Sequence, residues 1–368
     1  MSEVYLASLR AEKGGDSLLK KIGRLFDAAQ FGGCIAKNDL VAVKTHFGEE
    51  GNTAFIQPIF IRPVIDSIKK AGGRPFLTDA NTMYVGQRAN AVDHIGVAER
   101  HGFLPSVVDA PVVIADGLTG RDFVEVPVAL KHFKTVKIGS AVVHSQALIS
   151  VAHFKGHIVG GFGGSIKNVG MGFGSRAGKQ QMHSDVKPEV NEGKCVGCGT
   201  CARYCLAQAI TLNSKKARID HAKCVGCGEC LISCQYKAIG QRWDSKADKL
   251  QEKMVEYMAG VMKGKAGKCG FFNFVTNVAP GCDCAPWSDA PIVGDVGILA
   301  SKDPVAIDQA SADLVNAEPG NPRSMIKKSL ASGADKLREA NDVDWTIQLK
   351  YGEEIGMGSR KYQLVSID

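Results

Sequence analysis

Residues 194–210 read KCVGCGTCARYCLAQAI, and residues 223–239 read KCVGCGECLISCQYKAI. Aligned without a gap, the two segments agree at every cysteine, at the Val-Gly between the first two cysteines and at the closing Ala-Ile. A duplicated unit of this kind folds about a pseudo-two-fold axis. Ile210, Leu212 and Ile219 lie where short strands would cover it. Polar flanks, SDVKPEVNEGK before and RWDSKADK after, put surface junctions near residues 188 and 243. Residues 189–242 are therefore expected as a small α+β domain inserted into a discontinuous core of residues 1–188 plus 243–368.

Outside the repeats, β-type and amphipathic helical segments alternate. Residues 4–9, 40–44 (LVAVK), 76–79, 112–115, 147–154 (ALISVAHF), 271–275 and 296–300 read as strands. Residues 16–31, 63–71, 92–101 and 250–262 have helical spacing. Asp303-Pro304 is an N-cap followed by Pro at the first helical position. Such alternation predicts an α/β class with a mainly parallel sheet flanked by helices. Two separate α/β domains joined by the cysteine-rich unit are the alternative architecture.

The 368 residues carry 45 Lys+Arg against 38 Asp+Glu, and the excess is spread along the chain rather than gathered in a basic tract. Nucleic acid is therefore not the expected partner. No apolar run approaches the ~18–20 residues of a membrane span. The N-terminus shows no export signal, which gives a cytoplasmic expectation. Twelve cysteines stand out, and eight of them fall between Cys195 and Cys234. Without an export signal, clustering of that kind points to metal rather than to disulfides.

The spacing C-x2-C-x2-C-x3-C wraps three thiolates around one [4Fe–4S] cluster, and the fourth cysteine of each run ligates the other cluster. That rule assigns Cys195, Cys198, Cys201 and Cys234 to cluster I, and Cys205, Cys224, Cys227 and Cys230 to cluster II. Gly197, Gly199, Gly226 and Gly228 let the backbone turn tightly around them. Two zinc sites are the competing reading, but zinc motifs usually separate two short Cys pairs.

Four cysteines remain. Cys34 and Cys269 read as small core residues. Cys282-Asp283-Cys284 sits in a Gly/Pro-rich loop, where the two thiols look too close for a comfortable disulfide and suit a metal or redox site. Candidate partners leave the strand ends: Lys44 and His46, then Asp79-Ala80-Asn81, then His153, Lys155 and His157. In open α/β sheets ligands gather outside the carboxyl ends of the strands. A third metal site formed by Cys282, Cys284, His46, His153 and His157 is thus a candidate, for zinc, iron or nickel. The groups His46, Lys44, His153, Lys155 and His157 are the candidates for catalysis. The plain alternative is a surface turn with the histidines scattered over the fold. The glycines at 160–164 open a helix that would let an anion approach the backbone, with Lys167 or Lys155 adding charge. Arg176, Lys179 and His183 are placed to close over the same face.

The cysteine-rich segment resembles the bacterial-type two-cluster ferredoxin domain, departing from it where Leu206 and Gln235 replace the usual proline. Beyond it, KTHFG (44–48), HFKGH (153–157), GGSIKNVGMG (163–172), APGCDC (279–284), SKDPVAID (301–308) and GMGSRKYQLV (356–365) together resemble one family. It is that of iron–sulfur center proteins built on domain of unknown function 362. The resemblance implies an α/β core interrupted by a ferredoxin-like electron-transfer domain with two [4Fe–4S] clusters. A looser resemblance links the core to the N-terminal region of nickel-dependent lactate racemase-like proteins, and no racemase residue is carried over. The expected function is electron transfer or oxidoreductase chemistry, with a redox partner protein as donor or acceptor. A non-redox metal-dependent isomerase or transferase with structural or regulatory clusters is the alternative, and a scaffold protein is the third class.

Overall fold

Alternating strand and helix signals resolve into one eight-stranded sheet. In chain order its strands are β1 (Ser2–Ser8), β2 (Leu40–Lys44), β3 (Arg74–Asp79), β4 (Val112–Ile114), β5 (Ala147–His153), β6 (Cys269–Val275), β7 (Gly297–Ser301) and β8 (Tyr362–Ser366). The lateral order is β8-β1-β7-β6-β5-β2-β3-β4. Every neighbouring pair is parallel except β1–β7 and β6–β7, so the α/β fold with a mainly parallel sheet is what this chain adopts. The computed structural model describes residues 1–84, 86–183, 188–205, 207–224, 229–240 and 247–368. Leu206, Gly226, Cys227, Gly228 and the junction near residue 243 lie outside the described residues.

Period-two alternation along the strands feeds two cores. Val41 and Val43 face one side with Ala147, Ile149, Val151, Phe272 and Phe274. The helices Leu18–Ala28 and Arg62–Lys70 cover that side through Ile22, Leu25, Val64, Ile65 and Ile68. Ala42, Leu148, Phe271 and Leu299 face the other side. There the helices Ser165–Phe173, Ala247–Met262, Pro304–Ala317 and Thr346–Glu354 pack. Cys34 and Cys269 are buried in these cores. Among the described residues, no helix is long and apolar enough to cross a membrane.

Several boundaries shift for local reasons. The helix expected over 16–31 runs Leu18–Ala28, because Gln30 turns into the left-handed region at φ 54°. The hairpin Phe123–Pro127 with Thr135–Gly139 and the edge strand β8 were not expected; β8 is half-buried to exposed along its length and carries no apolar alternation. Asp303 explains the SKDPVAID and GMGSRKYQLV segments together. Its carboxylate accepts from the Val305 and Ala306 N–H groups, from Ser359 N–H and from the Ser2 hydroxyl. It thereby caps a helix and ties both termini to it.

The duplicated cysteine unit is built symmetrically, with equivalent residues 29 apart. The strand Ile210–Asn213 pairs with Lys216–Ile219, and Glu189–Val190 pairs with Ile239–Gly240. Asn191 N–H donates to the Ala238 carbonyl as Asp220 N–H donates to that of Ala209, each at 2.7 Å. Ala209 N–H reaches the Cys205 sulfur as Ala238 N–H reaches that of Cys234, each at 3.3 Å. Gly197 takes φ 71°, and a Cβ there would run into the Lys215 carbonyl, so this turn needs glycine. The unit and the α/β core are in contact. Met83, in the loop after β3, is buried in the apolar cluster that holds Cys195, Cys201, Cys230 and Cys234.

Candidate functional site

Parallel strands β2, β3, β5 and β6 deliver their carboxyl ends to one edge of the sheet, and the loops leaving them carry a dense set of buried charges. Lys44, the last residue of β2, is 1% exposed; its Nζ lies 3.1 Å from Asp79 Oδ1 at the end of β3 and donates to Asn168 Oδ1 at 3.0 Å. Gly172 packs closely beside it, and a Cβ there would press on the end of the Lys44 side chain. Burial lowers the Lys44 ammonium from its ordinary value while Asp79 opposes the shift. Arg88, 2% exposed, joins Glu49 at 3.1 Å, Asp79 at 3.7 Å and the Tyr84 hydroxyl at 2.6 Å. Such charges persist in a core only when paired and hydrogen-bonded.

The 278–287 loop after β6 closes over this edge. Asp283 is fully buried. His153 Nδ1 stands 2.9 and 3.0 Å from its two carboxylate oxygens, and Lys155 Nζ stands 3.2 Å from Oδ2. Burial alone would raise the Asp283 carboxyl, but His153 and Lys155 overcome it and hold it well below the usual carboxylate range. Residues 282–285 form a tight turn, closed by the Ala285 N–H on the Cys282 carbonyl at 2.9 Å, and with Asp283 drawn inward this turn brings the two flanking cysteines together. Glu49 N–H to the Asp283 carbonyl (2.9 Å) and the Asn52 amide to the Ala285 and Trp287 carbonyls fasten the loop to the β2 exit.

His46, Cys282 and Cys284, all half-buried, each offer a ligand atom within 4.8 Å of the others, and this is the group of that kind among the described residues. The expectation that Cys282 and Cys284 are too close for a disulfide is corrected: the sulfurs are paired, with a Cα–Cα distance of 5.2 Å that a disulfide spans. Lys167 Nζ lies 3.2 Å from the Cys282 sulfur, and Cys284 N–H donates to the same sulfur at 3.4 Å. Burial, then Arg88 and three lysines, keep His46 well below the ordinary histidine value, so its ring is neutral. Gly48 N–H donates to its Nδ1 at 3.0 Å, while Nε2 faces Arg88 at 3.2 Å.

The other two histidines of the expected five-residue set are not in this group. His153 turns Nδ1 to Asp283 and Nε2 to the Thr276 and Asn277 carbonyls at 2.9 and 3.2 Å, so both ring nitrogens are engaged within the fold. His157 Nδ1 accepts from the Val159 and Gly160 N–H groups and shapes the glycine turn instead. That turn does not present a free helix N-terminus to an anion. Asp308 already takes the Ser165 and Ile166 N–H groups at 2.7 and 2.9 Å. Arg176 and Lys179 make their bonds away from that turn: Lys179 donates to the Gly172 and Gly174 carbonyls at the other end of the helix, and Arg176 donates to Asp116 and to the Ala89 carbonyl. Glu49, Tyr84 and Arg88 were not singled out from the sequence. Glu49 continues the KTHFG segment, but nothing local marks Arg88.

In the duplicated unit, Cys195, Cys198 and Cys201 of the first run line one cavity with Cys234 of the second. Burial pushes the Cys201 thiol up, and the neighbouring Cys234, Cys195 and Cys198 add to that push. Cys205, Cys224 and Cys230 belong to the second set, and Cys227 lies outside the described residues.

The sequence matches the family described as Domain of unknown function (DUF362) over residues 41–313, and the chain belongs to that family. No curated protein matches it. Among solved structures it is similar to the lactate racemase apoprotein from Thermoanaerobacterium thermosaccharolyticum, at 11% identity and a TM-score of 0.36. The match covers 75% of this chain and 51% of that one.

Proposed function

We propose that this DUF362 chain is an iron–sulfur electron-transfer protein or oxidoreductase. Residues 189–242 would be its ferredoxin-like insertion, and residues 1–188 plus 243–368 the core with which it exchanges electrons. The observation that carries this reading is the crossing of the repeats: Cys234 joins Cys195, Cys198 and Cys201 around one cavity. A two-cluster ferredoxin arrangement needs that crossing, and two independent zinc knuckles do not. The donor set fits, since Cys195, Cys198, Cys201 and Cys234 line the cavity with backbone N–H groups directed at the Cys195 and Cys234 sulfurs. Cluster I would be held by these four residues and cluster II by Cys205, Cys224, Cys227 and Cys230. Bound there, the clusters supply one-electron transfer. The protein's own groups shield the cavity, orient the thiolates and, through Met83 and Tyr84, connect the unit to the His46–Cys282–Cys284 edge of the core. A redox partner protein would complete the circuit.

Protein purified without oxygen should contain about eight iron and eight acid-labile sulfide per chain. Stoichiometric zinc without a brown chromophore would refute the reading. A second reading rests on His46, Cys282 and Cys284: a non-redox metal-dependent isomerase- or transferase-like enzyme in which the clusters are structural or regulatory. Cobalt(II) added to the reduced holoprotein tests it. Thiolate-to-cobalt absorption that vanishes in Cys282→Ser, together with clusters that do not cycle, would favour this second reading over electron transfer.

A further inference from the structure

Buried ammonium groups at the sheet edge reach oxygen atoms. Lys44 has Asp79 and Asn168, Lys155 has Asp283 and the His153 carbonyl, and Lys179 has two glycine carbonyls. Lys167 differs from these three. It is 8% exposed, and the partner of its Nζ is the Cys282 sulfur at 3.2 Å. The Cys284 N–H is directed at the same sulfur. A disulfide sulfur is a weak acceptor, whereas a thiolate accepts a charge-assisted hydrogen bond. The sulfurs are therefore placed to bond to each other, while the groups around Cys282 are suited to the negative charge it acquires when that bond opens.

We propose that Cys282 and Cys284 form a two-electron dithiol–disulfide centre, the redox terminus of the core. This rests on the electron-transfer reading above and names the group that reading leaves open. On reduction the S–S bond breaks and two electrons enter, one for each sulfur. Cys284 takes a proton, and Cys282 either takes a second proton from solvent at the half-buried face or remains a thiolate against Lys167. Oxidation returns two electrons and releases the protons. The counter-reactant is a one-electron carrier used twice.

Placement of the pair supports this role. Tyr84 donates its hydroxyl to the Cys284 carbonyl at 3.3 Å, and its chain neighbour Met83 is buried among the cysteines of the inserted unit. One dipeptide thus spans from that unit to the pair. Opening the bond also frees both sulfurs to stand with His46 as a ligand group, so the disulfide and a bound metal would exclude each other.

The test uses the full chain, purified anaerobically and equilibrated in buffers of reduced and oxidised dithiothreitol, then alkylated with iodoacetamide and digested. Cys282 and Cys284 should gain two labels together in one transition, with singly labelled peptide absent. Lys167→Gln should shift that transition toward the disulfide by roughly tenfold in dithiothreitol ratio or more, the loss of a hydrogen bond to a charged group. Lys167→Arg should restore most of it, which separates charge from fold. Labelling of the two cysteines independently of each other, free thiols at every ratio, or resistance to reduction until the protein unfolds would each overturn the proposal. Iron and sulfide are counted on the same sample. A colourless protein whose pair still titrates refutes the electron-transfer reading alone, and a brown protein whose pair does not cycle refutes this one alone.

Discussion

Asp283→Asn is the sharpest probe of how the candidate site is held together. The change keeps the shape of the side chain and removes one charge from a position with no solvent exposure. That carboxylate is shared by His153 at 2.9 Å and Lys155 at 3.2 Å, so the variant leaves two buried donors facing an amide. Each hydrogen bond to a charged group is worth about 1.5–3 kcal/mol, and unpairing a buried ion costs about 3–5 kcal/mol. Both routes give a loss of about 3–5 kcal/mol at neutral pH. Urea unfolding followed by circular dichroism should show a lower midpoint with an unchanged slope. Loss of Asp283 should also release the 282–284 turn, so once the pair is reduced both cysteines should alkylate faster in the native variant. Replacing the whole triad in Asp283→Leu, His153→Leu, Lys155→Met should recover much of the loss, because the desolvation cost disappears with the charges. An Asp283→Asn protein within ~0.5 kcal/mol of the parent would refute the argument, since surface substitutions stay in that range.

Three further outcomes are expected. If the proposed clusters are present, Cys234→Ala should remove about half of the iron and disturb the cluster of Cys195, Cys198 and Cys201 rather than that of Cys224 and Cys230, as read by iron analysis and electron paramagnetic resonance. Tyr84→Phe should lower the unfolding free energy read from urea titration by about 1–3 kcal/mol, because Arg88 loses a buried acceptor; no change would mean that the Arg88–Tyr84 contact does not contribute. Glu339 is opposed by burial, yet the Lys327, Lys328 and Ser329 N–H groups hold it down to about 2. A depressed carboxyl stabilises above its ordinary value of 4.5 and loses that contribution as pH falls toward about 2, so Glu339→Gln should flatten acid unfolding in that window.

Much of the sheet was legible because its strands are short apolar runs set between polar or helical segments. LVAVK at 40–44 is β2 to the residue, and the run at 147–154 is β5 with one residue trimmed. The pseudo-symmetry of the cysteine unit was equally legible, since a gapless repeat transmits its geometry with its sequence. Strand β8 was not. Its residues carry no apolar period, and what fixes it is a parallel pairing with the opposite terminus, which local sequence does not encode.

The candidate site was legible as a neighbourhood and not as a set of roles. Strand order in a parallel sheet brings the exits of β2, β3, β5 and β6 together, so Lys44, His46, Asp79, His153 and the Cys282–Cys284 loop had to be near one another. Which histidine keeps a lone pair depends on partners supplied from elsewhere in the chain. His46 and His153 both follow an apolar strand. Yet His153 faces Asp283 and two carbonyls, all acceptors, whereas the ring nitrogens of His46 face two donors, Gly48 N–H and Arg88, beside the two sulfurs. Asp283, between the cysteines that drew attention, is the residue that decides both outcomes. Drawn inward by His153 and Lys155, it removes that histidine from ligand duty and turns Cys282 and Cys284 together toward His46 and Lys167. A buried carboxylate thus acts here as the positioning element, and the half-buried sulfurs it presents are the part of the site left open to chemistry.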